Sequence, residues 1–242
     1  MNAKNEECHL TGMSLRQASL IAGFGLLLMA ILAPIANFSA LQNLTVPGDA
    51  SATSAKITAS LGLFRIGAFF FLIVAILDVI VAWALYFLFI PVNKSISLLT
   101  ALFRVAYAAV FAAATNHLLQ VFSLLNGADF LKAFDAKQVS AQVTLQLNAF
   151  QSGWNSGMII FGLHLLVLGY LIFKSGYFPK FLGVLVTIAG LGYLTDSLGK
   201  LLMPDYKLTI ATFTFIGEVL LIFWLFWKGI KGFGKDPNTN GK

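Results

Sequence analysis

Between residues 69 and 84 the chain is an unbroken apolar run whose single charged side chain is Asp78. A soluble fold would have to bury every face of such a segment, whereas a bilayer asks only that it be long. The hydrocarbon core is ~30 Å thick and is crossed by about 20 apolar residues in a helix. Similar runs recur along the chain, and composition leaves no aqueous alternative. Of 242 residues, 58% are hydrophobic and 11% charged, where a soluble domain carries roughly 25% charged residues. A transmembrane barrel would alternate polar and apolar positions over strands of ~10 residues, and runs this continuous rule against it.

The pattern predicts an all-α, polytopic membrane protein: one integral membrane domain, a six-helix transmembrane bundle with two external helical segments. The expected spans are 20–36, 61–90, 96–125, 153–173, 181–202 and 209–227, between an N-terminal tail over 1–17 and a disordered tail over 232–242. The first span reads as a retained helix and not a cleaved signal peptide, because Pro34 and Phe38 stand where a cleavage site wants small side chains. Val46-Pro47-Gly48-Asp49 is a turn signal, with Asp49 placed to N-cap a small helix through Ala59. Residues 126–151 open on an Asn-Gly turn, after which Val139, Val143, Leu147 and Phe150 recur at helical spacing. The fourth helix is therefore expected to begin outside the membrane as an amphipathic extension. Gly176 and Pro179 mark a tight hairpin before the fifth span.

Orientation follows from Lys and Arg outside the spans. A cytoplasmic N-terminus puts nine of them inside (Lys4, Arg16, Lys94, Lys174, Lys180, Lys228, Lys231, Lys235, Lys242) and five outside (Lys56, Lys132, Lys137, Lys200, Lys207). Both termini are accordingly expected in the cytoplasm. The net charge of +6 is no nucleic-acid signal, since most Lys residues sit at span ends as anchors. The partner these features imply is the lipid bilayer. Cys8 is the single cysteine, so no intrachain disulfide is possible.

Four stretches carry a family resemblance: Val46-Pro47-Gly48-Asp49, Leu63-Phe64-Arg65, Ala101-Leu102-Phe103-Arg104, and a long one running from Gly162-Leu163-His164 through Gly169 to Tyr177, then Leu182-Gly183 and Gly190 to Ser197. Together they resemble the domain-of-unknown-function 4386 family of bacterial integral membrane proteins, over roughly residues 14–229. The resemblance implies a multi-helix membrane fold, a prokaryotic plasma-membrane location (the cell inner membrane) and no particular activity. It draws attention to Arg65, Arg104, His164, Asp196 and Glu218, which fall on positions of the family pattern. The chain departs from that pattern at Lys174 and Lys180, where Arg is expected, and at Ile90, where a basic residue is common.

Ionisable side chains inside the spans are the remaining pointer to function. Each costs roughly 2.5–3.5 kcal/mol near the bilayer centre on insertion scales, so such groups face a protein interior and have partners. At ~1.5 Å rise per residue, Asp78, Arg104, His164 and Glu218 fall at depths where they could meet in the inner half. Arg65, His117 and Asp196 form a second, outer layer. Asp78 is short and deep, and therefore needs a cationic partner or stays protonated. Arg65 and Arg104 are read as near enough to the interfaces to snorkel, and Asp196 as neutralised by Lys200 at i+4. His117, beside Asn116, reads as a packed polar residue. Gly153, Gly157 and His164 share a face within about 40°, which places His164 beside a small-residue packing groove. Ala211, Thr214 and Glu218 make a narrow small-and-polar stripe on the last span, with Glu218 at mid-span.

Soluble-enzyme motifs fail. Residues 229–236 nearly spell a P-loop, but Asp236 stands where Ser or Thr must hold magnesium, and no strand precedes it. No His-Glu-x-x-His pattern, paired cysteines or Gly-x-Ser-x-Gly elbow occurs, and no cofactor is implied. Three functional readings stay open. The favoured one is a non-catalytic membrane protein whose buried charges fix helix packing. The others are a small-molecule or ion transporter using Glu218 with His164 as proton partner, and an intramembrane metal-dependent enzyme built on His164, Asp78 and Glu218. Substrate, protein partner and oligomeric state are not encoded in any pattern found.

Overall fold

The computed structural model describes residues 13–126, 134–203 and 205–233. Cys8, the Gly of the Asn-Gly turn and the polar tail from 234 onward lie outside the described residues. Among those described the chain is all helix. The elements are α1 (Leu15–Asn37), continued by a wider-wound turn over Phe38–Gln42, α2 (Ala50–Ala59), α3 (Leu61–Phe89), α4 (Lys94–Leu125), α5 (Ala136–Lys174), α6 (Lys180–Leu202), α7 (Ala211–Thr214) and α8 (Ile216–Lys231). Six helical segments are long and apolar enough to cross a membrane, the last being α7 and α8 together. Their outward side chains are apolar, with Phe24, Ile76, Trp83, Phe223 and Trp227 all at least half exposed, as a lipid-facing surface requires. The architecture is that of a multi-pass membrane protein.

Local signals explain most boundaries. Asp49 caps α2 by accepting from the Ala52 amide at 2.8 Å, and Gly176 takes φ +72° in the hairpin before α6. The α5 helix begins at Ala136 and runs unbroken to Lys174, as the Val139–Phe150 spacing anticipates. The last span differs from expectation. It breaks at Phe215, so that Glu218 lies in the first turn of α8 and not in the middle of a continuous helix.

The chain forms two compact units. One holds residues 28–77 and 106–158, the other 1–27, 78–105 and 159–242. The first unit is built on a cluster of aromatic rings. Phe71 lies 5.6 Å from Phe111, 5.4 Å from Phe150 and 5.5 Å from Trp154, centroid to centroid. In the same unit Gly153 faces Ala114 and Gly157 faces Tyr107 and Val110, which is the small-residue groove the sequence places there.

The second unit packs helices at backbone distance. A Cβ added at Gly190 would come within 2.8 Å of the Gly162 carbonyl oxygen, and one at Gly183 within 2.6 Å of the Gly169 oxygen. Gly162 and Gly169 on α5 therefore meet Gly190 and Gly183 on α6, two turns apart on each antiparallel helix. Gly217 opens α8 to the α6 backbone at Leu185, and Gly192 admits Thr214. At the other edge α1 docks on α8: Ser19 Oγ donates to the Leu225 carbonyl at 2.8 Å and Arg16 Nε to the Gly229 carbonyl at 2.8 Å.

Candidate functional site

Asp78, Arg104, His164 and Glu218 come from α3, α4, α5 and α8, and all belong to the second unit. Arg104 Nη2 lies 2.7 Å from Asp78 Oδ1, with both side chains sealed from the surface. The cation that Asp78 needs is thus Arg104. This corrects the expectation that Arg104 snorkels: its side chain is 2% exposed and turned into the helix packing. The guanidinium also faces the ring of Phe161, 5.5 Å from its centroid.

His164 is fixed at both nitrogens. Nδ1–H donates to the Thr100 carbonyl at 2.9 Å, and Nε2 accepts from Arg104 Nη1 at 3.2 Å. A carbonyl only accepts and a guanidinium only donates. These partners therefore define one tautomer, neutral and protonated on Nδ1. In this arrangement His164 has no lone pair for a metal and no vacancy for a second proton. The metal-ligand and proton-partner roles considered for it each require one of these two contacts to break.

Glu218 is brought to the same cluster, within electrostatic reach of Arg104 and Asp78, and its carboxyl accepts a hydrogen bond from the Tyr193 hydroxyl of α6. Although the residue's stem is partly exposed, its Oε1 is enclosed and without a hydrogen-bond partner. Asp78 Oδ2 and Arg104 Nε are likewise enclosed and unpartnered. The cluster is dense in charge and incompletely satisfied, which in a buried setting costs roughly 1–3 kcal/mol per orphaned group.

The other expected residues have separate local partners. Asp196 feels the charge of Lys200 and has closer partners besides. Its Oδ1 accepts from the Tyr206 hydroxyl at 2.7 Å and the Ile210 amide at 3.0 Å, and its Oδ2 from the Ala211 amide at 2.8 Å. It therefore caps α7 from a neighbouring helix, a role hidden from i+4 reasoning because its partners lie 10 to 15 residues on. Donation to this carboxylate pushes the Tyr206 hydroxyl pKa above the usual phenol range. In the first unit the exposed Arg65 lies over the Phe122 ring at 3.9 Å, consistent with snorkelling, and His117 Nδ1 meets Gln146 Oε1 at 2.7 Å.

Sequence reasoning missed Tyr193, Thr100 and Tyr206. Thr100 precedes Arg104 by one helical turn and Tyr193 precedes Asp196 by three residues, so both lay on faces already marked as polar. The stripe Ala211, Thr214, Glu218 is real and faces α6, meeting Asp196, Gly192 and Tyr193 in turn.

The family model described as "Domain of unknown function (DUF4386)" matches residues 21–229. An uncharacterized protein of Archaeoglobus fulgidus is 45% identical over 159 residues, covering 66% of this chain and 81% of that protein. No solved structure matches.

Proposed function

The chain belongs to the DUF4386 family, and we propose that it is a non-catalytic protein of the prokaryotic cytoplasmic membrane whose buried charges set the register of its helices. In this reading the chain is one membrane domain with both termini inside, as the Lys and Arg distribution favours. The supporting observation is the chain of contacts Thr100–His164–Arg104–Asp78, which ties α5 to α4 and α4 to α3 with geometry that uses both nitrogens of the histidine. Polar groups that can pair in one register only select that register against neighbouring ones.

The test is a double-mutant cycle on purified protein in detergent. Removing one member of a buried pair strands the other and costs about 3–5 kcal/mol. Arg104→Met and Asp78→Leu are each expected to lower the melting temperature sharply, and the double variant to recover most of the loss. Additive losses would end the structural reading.

A second reading, a transporter of a small molecule or ion, has one observation in its favour: the enclosed Oε1 of Glu218 has no partner. An enclosed polar atom without a partner calls for an explanation, and Glu218 stands outside the Thr100–His164–Arg104–Asp78 chain of contacts. Transport requires that Glu218→Gln abolish flux in reconstituted vesicles while the melting temperature stays near that of the parent protein.

A further inference from the structure

The inner cluster holds two carboxyl groups and one cation. Asp78 and Glu218 both lie in reach of Arg104, and Arg104 is engaged by Asp78 at 2.7 Å. Among the described residues no second cation completes the set. Facing Glu218 are Asp78 from α3, Arg104 from α4 and the Tyr193 hydroxyl from α6, and behind Arg104 stands His164 from α5, held neutral by its two contacts. With both carboxyls ionised the cluster would carry a net negative charge in a medium that solvates charge poorly.

A proton on one carboxyl removes that excess, and the contacts say which carboxyl is the less compensated when charged. Both keep one enclosed oxygen without a partner, but Asp78 directs its other oxygen at the guanidinium at 2.7 Å, where a negative charge is directly compensated. Glu218 has one oxygen held by Tyr193 and the other, Oε1, enclosed and unpartnered. It also sits in the first turn of α8, directly after the helix break at Phe215.

We propose that Glu218 is a proton-binding site: its carboxyl takes up and returns one proton while Arg104 stays with Asp78, and on deprotonation Arg104 becomes the shared counter-ion of both carboxyls. The O–H bond forms and breaks on the Glu218 carboxyl alone, the proton coming from and returning to water. No other bond changes. This deepens the transport reading above by naming the proton as the ion the site takes.

The experiment is infrared difference spectroscopy of the full chain in lipid nanodiscs across a pH titration. A protonated carboxylic acid has a carbonyl stretch that a carboxylate lacks. The expected result is a titrating carbonyl band that disappears in Glu218→Gln, remains in Asp196→Asn, and moves in Tyr193→Phe, where a hydrogen bond to the group is lost. Should Glu218→Gln fail to fold, Glu218→Asp keeps a carboxyl one methylene shorter, and its band is expected to be displaced. A folded wild-type protein without the band, a band that survives Glu218→Gln or stands unmoved in Glu218→Asp, or one that vanishes in Asp78→Asn instead, overturns the proposal. Proton entry into vesicles loaded with a pH-sensitive dye separates it from the transport reading. A band without flux removes transport and leaves the site. Flux with no Glu218-dependent band removes the site and leaves transport.

Discussion

His164 lies between a carbonyl oxygen and a guanidinium, and that position makes a sharp demand on any replacement. A side chain there must donate to Thr100 and accept from Arg104 at the same time. Phe has the size and neither function, so His164→Phe is expected to cost about 1–3 kcal/mol for the stranded groups, read as a loss in melting temperature. An unchanged melting temperature would mean that the contacts contribute nothing. At this scale the sequence is informative about which residues come together and poor about how. Asp78, Arg104, His164 and Glu218 stood out because charge in an apolar run is costly wherever it occurs. That Arg104 is buried, and not drawn to the interface, could not be read, because its long side chain reaches both ways from the same backbone position.

Helices α5 and α6 are held together by glycine facing glycine, and the steric consequences differ by position. Gly190→Ala would drive a methyl against the Gly162 carbonyl oxygen at 2.8 Å, where backbone must move, so it is expected to destabilise. Gly62 in α3 has open space around an added Cβ, and Gly62→Ala is expected to stabilise by about 0.5–1 kcal/mol. Opposite signs for one chemical change, measured by thermal melting, test the close approach directly. The joint between α6 and α7 should respond to pH. Because Tyr206 is shifted upward in the folded protein by its bond to Asp196, its contribution is fully present below the ordinary phenol value of ~10 and is lost as pH rises through the higher folded value. The melting temperature is expected to fall in that alkaline window, and Tyr206→Phe to remove that part of the fall. Of these element-level features, Gly153 and Gly157 were legible by their four-residue spacing. The seven-residue pairs 162/169 and 183/190 passed unnoticed, since each set has meaning only opposite the other. The break at Phe215 carries neither Pro nor Gly at its own position and left no signal.

For the whole molecule, topology is the property that sequence addresses most directly and packing least. Apolar length alone separates the spans, and the described residues hold six helical segments of sufficient length and apolarity. The side on which the termini lie rests on the Lys and Arg distribution and can be read with the chain's own single thiol, Cys8. A membrane-impermeant maleimide is expected to leave Cys8 unlabelled in intact cells and to label it after permeabilisation. In a Cys8→Ser background, Ser51→Cys on the exposed face of α2 is expected to label without permeabilisation. The reverse pattern would invert the orientation. What composition and periodicity could not provide is the grouping of elements, because the two compact units are each assembled from pieces far apart in the chain, and α1, α3, α4 and α5 each contribute to both.

The glycines of the second unit sit beside its polar groups in the chain: Gly162 two residues from His164, Gly192 next to Tyr193, Gly217 next to Glu218. Interhelical distance and the polarity of the site are therefore one variable and not two. Any change that pries α6 away from α8 also draws Tyr193 from Glu218 and admits water to an enclosed carboxyl. A mechanical load that parts these two helices, such as a shift in bilayer thickness, would register chemically at Glu218.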